Sequence, residues 1–284
     1  MAESKASKDA ERSWRTSLWG LAKWAALAYA AVALLVFLFQ RRLQYFPDPD
    51  DPPLPPGDTY RGIERVDLAA SDGVRLRAWH WPGTRSETIV LFHGNAGNRA
   101  HRIGWIERFH DQGYGAFLLD YRGYGGSGGS PTEEGLYLDG EAALTWLAAR
   151  GPGPLIYFGE SLGCGVAIEM ALRHAPAKLI LHAPYTSLAD VGQRAYPFLP
   201  VKLLMLDRYD CMGKIGRVAC PLLVIHGARD GVIPSVFGER LFRGAPEPKR
   251  WLLLPHAGHN DLPWADGYEE AVLEFLSIRS PVSG

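Results

Sequence analysis

The chain has 284 residues, 47% of them hydrophobic and 21% charged, a composition typical of a globular protein with one sizeable core. Its 30 lysines and arginines nearly balance its 31 aspartates and glutamates, for a net charge of -1 with no basic face evident, which argues against a nucleic-acid partner. The three cysteines lack a CxxC spacing, so neither a zinc site nor a disulfide framework is predicted. Pairing of Cys211 with Cys220 in an oxidising compartment is the minor alternative.

A polar tail and an apolar run open the chain. Residues 1–17 carry charges of both signs and are expected to be disordered. Residues 18–39 are apolar except for Lys23, and about 20 apolar residues span a bilayer as a helix. We therefore assign residues 18–40 to a transmembrane anchor. A cleaved signal peptide ending at the small residues 28–30 is the alternative, disfavoured because the apolar run continues past that point.

The basic residues beside the apolar run bear on its orientation. Four precede it and two follow it: Lys5, Lys8, Arg12, Arg15, Arg41 and Arg42. Because basic residues are enriched on the cytoplasmic side of a span, this count favours a cytoplasmic N-terminus, with the folded domain outside the cytoplasm.

A linker and one α/β domain follow the anchor. Residues 41–59 are predicted to form a stiff linker, because six prolines lie among acidic residues there. In residues 60–284, two strand patterns flank a turn signal at residues 71–73 and predict an antiparallel hairpin. Strands then alternate with amphipathic helices, which predicts a mostly parallel, doubly wound sheet covered on both faces. Residues 184–219 are irregular and are predicted to form a small cap.

A glycine-framed serine lies in the middle of this domain. Four apolar residues at 155–158 run into Gly159-Glu160-Ser161-Leu162-Gly163, and apolar residues then recur at helical spacing. Strand, Gly-x-Ser-x-Gly and helix in this order are typical of a nucleophile elbow, in which a sharp turn exposes the serine hydroxyl. Ser161 is therefore the candidate nucleophile, and a serine in a purely structural turn is the alternative.

A serine hydroxyl needs a base and an acid that orients the base. Asp230 follows the predicted strand at 222–225, and His259 follows the one at 251–254. Sites of open α/β sheets form at the carboxyl ends of strands, and the order Ser, Asp, His is that of α/β-hydrolases. We therefore predict a triad of Ser161, Asp230 and His259.

Other residues compete for these roles. His256 is the rival base, and Asp207 and Asp210 are rival acids within the irregular region. His93 and His226 also follow strands, and we expect both to be hydrogen-bonded structural histidines.

Acyl transfer also needs N–H donors where the tetrahedral oxyanion forms. The N–H of Leu162, just after the nucleophile, is one candidate. The second is expected from the loop after the strand at 89–92, with Asn95 favoured over Ala96. Cys164, at the start of the following helix, is expected to be a packing residue and not a nucleophile.

Five motifs together resemble a membrane-associated family of α/β-hydrolases, the bud-emergence (Bem-type) proteins and the related abhydrolase-domain depalmitoylases. The similarity covers about residues 60–280. The motifs are His93-Gly94-Asn95-Ala96-Gly97-Asn98, Asp120-Tyr121-Arg122-Gly123-Tyr124-Gly125, Ser161-Leu162-Gly163, Tyr196-Pro197-Phe198-Leu199-Pro200-Val201-Lys202 and Gly258-His259-Asn260-Asp261. The resemblance implies that Ser161, Asp230 and His259 are nucleophile, acid and base.

The chain departs from this family at two points. Glu160 and Cys164 stand where relatives often have Arg and Gly. The depalmitoylases carry an N-terminal cysteine cluster for lipidation, whereas this chain has no cysteine before Cys164. The second departure weakens a specific protein-depalmitoylase assignment and leaves the general hydrolase assignment in place.

The sequence therefore predicts a single-pass membrane protein with one α/β-hydrolase domain. We expect a serine hydrolase of carboxylic esters or thioesters, acting on small-molecule or lipid-like acyl substrates without a cofactor or metal. A serine peptidase of the same fold and a non-catalytic membrane scaffold are the alternatives. The acyl chain, the leaving group and the oligomeric state stay open.

Overall fold

The computed structural model describes residues 2–151 and 153–278, with the backbone alone for residues 2–17. The chain divides into two compact units between Leu43 and Gln44. The first unit is helical, and the second is an α/β domain.

Strands and helices alternate through most of the second unit. The strands are β1 (Phe46–Pro47), β2 (Glu64–Ala69), β3 (Arg75–Trp81), β4 (Thr88–Phe92), β5 (Ala96–Gly97), β6 (Gly115–Asp120), β7 (Leu155–Glu160), β8 (Lys178–His182), β9 (Leu222–Gly227) and β10 (Lys249–Leu254). The α-helices of the described residues in both units are α1 (Ala2–Gln44), α2 (Ile103–His110), α3 (Glu133–Ala148), α4 (Gly163–Arg173), α5 (Leu188–Ala195), α6 (Val201–Leu204), α7 (Met212–Ile215), α8 (Ser235–Gly244) and α9 (Tyr268–Ser277).

Eight strands form one sheet in the order β10-β9-β8-β7-β4-β6-β3-β2. Strand β3 is antiparallel to both of its neighbours, and every other neighbouring pair is parallel. The mostly parallel sheet and the antiparallel N-terminal hairpin predicted from the sequence are thus confirmed. Strands β4 and β7 are neighbours near the middle of the sheet, which brings the loops that follow them together.

The sheet is buried on both faces, as the continuous apolar strand patterns predict. Along β7, Ile156 and Phe158 point into one core cluster and Tyr157 into the other. Helices α3, α4 and α8 contribute to the cluster around Tyr157, and α2 and α9 contribute to the opposite one. Residues 184–219, the segment predicted to form a cap, contain the short helices α5, α6 and α7.

The N-terminal tail differs from expectation. Helix α1 begins at Ala2 and includes the stretch predicted to be disordered. That stretch is rich in Ala, Glu, Lys and Arg, which are strong helix formers, so it can extend the apolar helix that follows it. Within α1, Leu18–Gln44 is long and apolar enough to cross a membrane, and its apolar stretch is not buried. It is a candidate membrane span by length and composition.

The predicted linker at residues 41–59 is also corrected. Helix α1 continues to Gln44, and β1 then pairs in parallel with β5. Tyr45 is 3% exposed, and its hydroxyl lies 2.9 Å from that of Tyr209. Proline holds the chain extended, and the residues between the prolines keep their N–H groups for hydrogen bonding. Part of this stretch therefore pairs with β5 as an edge strand.

Candidate active site

The turn after β7 holds Ser161 in a strained conformation. Its φ is 50°, in the left-handed region that non-glycine residues rarely occupy, and its N–H donates to the carbonyl of His182 at 2.8 Å. At Gly163, an added Cβ would lie 1.9 Å from the carbonyl oxygen of Phe92. Only glycine permits this approach, so the turn and the end of β4 are in direct contact. Strain of this kind is characteristic of a nucleophile elbow.

His259 lies between the serine and an aspartate. Its Nε2 is 3.0 Å from the Oγ of Ser161, and its Nδ1 is 2.7 Å from the Oδ2 of Asp230. The ring is half-buried, and it reaches this position from the turn after β10. The structure therefore brings together the three residues of the predicted triad, each from the carboxyl end of a different strand.

Both carboxylate oxygens of Asp230 accept hydrogen bonds. Its Oδ1 accepts the N–H groups of Val232 at 2.8 Å and Ile233 at 2.7 Å. Burial alone would raise the pKa of Asp230. His226, whose Nε2 lies 3.4 Å from Oδ2, and the hydrogen bonds from His259 and the Ile233 N–H together outweigh burial and lower the pKa of Asp230 well below its usual value. Asp230 is therefore a fixed anion beside the Nδ1 of His259.

The rival base and acids lie elsewhere. His256 is exposed, and its Nδ1 is 3.1 Å from an Nη2 of Arg229. Asp207 accepts the N–H of Glu133 at 3.2 Å, and Asp210 accepts the N–H of Gly213 at 3.0 Å. None of these contacts places the rival beside Ser161.

The two other strand-end histidines hold backbone groups. His226 donates from Nε2 to the carbonyl of Ile233 at 2.8 Å, behind Asp230. His93 donates from Nδ1 to the carbonyl of Gly94 at 2.7 Å. Burial, reinforced by the charge of Arg102, lowers the pKa of His93 to about 3, so its ring stays neutral. That carbonyl shares a peptide with the N–H of Asn95, which therefore points the opposite way.

The two candidate oxyanion donors are the backbone N–H groups of Asn95 and Leu162. Among the described residues, neither the N–H of Asn95 nor that of Leu162 donates a hydrogen bond. The neighbouring N–H of Gly94 is occupied, because it donates to the Oε2 of Glu160 at 3.1 Å. Asn95 and Leu162 belong to the two loops that meet where Gly163 contacts Phe92. Both N–H groups thus belong to adjoining loops and are unoccupied within the described part of the chain.

An ion pair beneath the site escaped the sequence analysis. Arg102 donates to both carboxylate oxygens of Glu160, at 2.9 and 3.2 Å, and also to the carbonyl of Ala96 at 2.7 Å. Burial would raise the pKa of Glu160, but Arg102 and the Gly94 N–H lower it to about 2. The residue before the nucleophile therefore holds the loop after β4. The two residues are 58 positions apart, so no local sequence pattern predicts that they pair. The unusual glutamate within the elbow indicated only that Glu160 has a special environment.

The cysteines take no part in the site. Cys164, Cys211 and Cys220 are all buried free thiols, so Cys211 and Cys220 are not paired. Burial raises the pKa of Cys164 well above its usual value, and its thiol donates to the carbonyl of Gly159 at 3.2 Å. Cys164 is thus an unreactive packing residue. In the described part of the chain, no group of three or more His, Cys, Asp or Glu side chains is arranged to hold a metal ion.

This chain is similar to known proteins in its sequence and in its fold. The family model described as serine aminopeptidase, S33, matches residues 83–209. The uncharacterized protein Rv2307c of Mycobacterium tuberculosis is 40% identical over 261 residues, covering 89% of this chain and 92% of that protein. Protein bem46 of Schizosaccharomyces pombe is 28% identical over 297 residues, covering 95% and 99%.

A solved structure gives the same architecture. The Pyrococcus furiosus esterase Pf2001 aligns with a TM-score of 0.69 at 21% identity, covering 81% of this chain and 98% of that one. At this identity the likeness shows the fold. Together with the sequence matches over nearly the whole chain, it places the protein in the Bem46-like family of α/β-hydrolases.

Proposed function

We propose that the protein is a membrane-anchored serine hydrolase that cleaves carboxylic esters or thioesters through Ser161, His259 and Asp230. The observation that carries this proposal is His259 bridging Ser161 at 3.0 Å and Asp230 at 2.7 Å. These distances suit proton transfer from the serine to Nε2, with Asp230 fixing the tautomer that protonates Nδ1.

The reaction takes two steps. In the first, His259 accepts the Ser161 proton while Oγ attacks the acyl carbon, and the N–H groups of Asn95 and Leu162 stabilise the oxyanion. Collapse breaks the bond to the alcohol or thiol, which takes the proton from His259. In the second, His259 deprotonates water, the hydroxide attacks the acyl-enzyme, and the acid leaves as Ser161 regains its proton.

The membrane assignment rests on residues 18–40, which lie within the candidate span Leu18–Gln44. The flanking basic residues favour a cytoplasmic N-terminus with the α/β domain outside. A reporter fused after Gly284 tests this orientation. An enzyme reporter active only outside the cytoplasm should be active, and activity of a cytoplasmic reporter would reverse the assignment.

The cap favours an apolar acyl group. It exposes Tyr196, Phe198 and Leu203, the last of which is 84% exposed. Clustered exposed apolar side chains mark contacts with ligands, partners or lipid. With an anchor in the bilayer, lipid-like substrates would be concentrated near the site.

The experiment is a substrate panel with the full chain in detergent. We expect turnover of p-nitrophenyl esters and acyl-thioesters, and labelling of the protein by a fluorophosphonate probe that abolishes both activities. A folded protein that hydrolyses neither substrate and takes up no probe would contradict the proposal and favour a non-catalytic scaffold.

A serine peptidase is the second candidate, favoured by the description of the matching family model as a serine aminopeptidase. The same triad would then attack an amide. Aminoacyl p-nitroanilides added to the panel separate the two, because a peptidase would cleave them at rates comparable to the esters.

A further inference from the structure

The segment at residues 44–51, here called the strap, lies against the loop that carries Asn95. Strand β1 within it pairs with β5, in the register Phe46 to Ala96 and Pro47 to Gly97. The strap was expected to be part of a linker, which would have no role in the site.

The strap holds Asn95 through two hydrogen bonds. The N–H of Phe46 donates to the carbonyl of Asn95 at 3.0 Å, and the side-chain amide of Asn95 donates to the carbonyl of Gln44 at 3.0 Å. A third bond comes from the domain, where the hydroxyl of Tyr124 donates to the same Asn95 carbonyl at 2.9 Å. The backbone of Asn95 is therefore fixed by groups on either side of it.

The strap is itself fixed to other parts of the domain. The N–H groups of Gly125 and Gly126 donate to the carbonyls of Asp48 and Pro49 at 2.8 and 2.9 Å. Tyr45 is buried against Tyr209 of the cap. These contacts lie outside the Asn95 loop, so the strap can transmit a fixed position to that loop.

We propose that the strap is a positioning element of the active site, in which the backbone N–H of Phe46 sets the orientation of Asn95 and so aims the Asn95 N–H at the oxyanion. The inference rests on the proposed function, in which Asn95 is an oxyanion donor. Phe46 is a positioning residue, because it would act through its bond to Asn95. Since oxyanion donors act only when aligned with the transition state, a small displacement of Asn95 lowers kcat and leaves substrate binding unchanged.

The chain offers a matched pair of variants. Phe46→Pro deletes the N–H that bonds Asn95, whereas Phe46→Ala keeps that N–H and removes only a side chain that is 53% exposed. Tyr45→Phe is a second control, because it removes one hydroxyl from the same strap while the buried ring that anchors the strap and every bond to Asn95 are kept.

The assay uses the full chain in detergent, with a p-nitrophenyl ester as substrate and an alkyl boronic acid as tetrahedral analogue. We expect Phe46→Pro to lower kcat by roughly 10- to 100-fold with KM within about twofold. The inhibition constant of the boronic acid should rise by a similar factor. Phe46→Ala and Tyr45→Phe should both match the unsubstituted chain.

Two results would overturn the inference. One is a Phe46→Pro protein with the kcat of Phe46→Ala, and the other is a loss of kcat without weaker boronic acid binding. If Phe46→Pro does not fold, Asn95→Ala keeps the Asn95 backbone N–H and removes the other bond to the strap, from the side-chain amide to the carbonyl of Gln44. An unchanged kcat and boronic acid affinity in that variant would overturn the inference equally. An unsubstituted chain with neither turnover nor probe labelling would instead contradict the proposed function.

Discussion

Gly94 donates its backbone N–H to the Oε2 of Glu160 at 3.1 Å, so the residue next to Ser161 in the chain holds the loop that carries Asn95. Arg102 closes the arrangement by binding both Glu160 and the carbonyl of Ala96. The elbow and the loop after β4 are thus joined by a partly buried ion pair, and their relative position depends on its charge.

Replacing this carboxylate should affect both stability and activity. Glu160→Gln leaves the buried Arg102 without a counter-charge, and losing one partner of a buried pair costs about 3–5 kcal/mol. The pKa of Glu160 agrees in direction, because its fall to about 2 despite burial means that the ionised carboxylate is stabilised here, chiefly by Arg102. We expect a lower denaturation midpoint in urea and a lower kcat.

The control is Glu239→Gln, which breaks an exposed pair with Arg243 one helical turn away. Exposed pairs contribute about 0–1 kcal/mol, so its midpoint should be nearly unchanged. Equal stability of the two variants would show that the pair with Arg102 does not hold the loop.

Substitution of His259 and substitution of His256 should have very different effects on kcat/KM. His259→Ala removes the group that bridges Ser161 and Asp230 and should lower kcat/KM by roughly 10⁴-fold or more. His256→Ala changes only an exposed contact with Arg229 and should be nearly silent. Steady-state kinetics on one ester decides between them, and equal losses would leave the base unassigned.

Activity should fall in acid because the base is protonated and not because a carboxylate is, since a neutral imidazole is needed as the base. Asp230 and Glu160 have lowered pKa values, so both carboxylates stay ionised in mild acid and do not produce the fall. A profile of kcat/KM against pH measures this. A rise centred near pH 4 would point to a carboxylate instead of a histidine.

Much of this fold could be predicted because its signals are local. Continuous apolar strands identified β4, β7, β9 and β10 to within about two residues, and the turn at residues 71–73 identified the hairpin of β2 and β3. The triad followed from strand ends, since the carboxyl ends of parallel strands lie on one side of a sheet. The positions of these residues along the chain were therefore enough to predict that their side chains lie close together.

Three features depend on contacts that sequence spacing does not record. The pair of Glu160 with Arg102 joins residues 58 positions apart, and Tyr45 meets Tyr209 across 164 positions. The prolines after residue 46 indicated an extended chain, but an extended chain can be a free linker or an edge strand. Only the donors and acceptors of the partner strand β5 decide between these.

Substrate preference is tested by acyl-chain length. The exposed apolar residues of the cap favour medium or long acyl groups over acetyl. Each added methylene that becomes buried should contribute up to about 0.8 kcal/mol to kcat/KM until the pocket ends. A series of p-nitrophenyl esters from acetyl to palmitoyl measures this, and kcat/KM falling steadily from acetyl would indicate a small closed pocket.

Ser161→Ala tests the central claim most directly. Removal of one hydroxyl at an elbow should leave the fold intact, because Ser161 is only half-buried and its N–H bond to His182 is retained. We predict an unchanged thermal midpoint, no labelling by a fluorophosphonate probe, and a loss of ester hydrolysis of roughly 10⁴-fold or more. A folded Ser161→Ala protein that keeps most of its hydrolysis or probe labelling would contradict the assignment of Ser161 as the nucleophile.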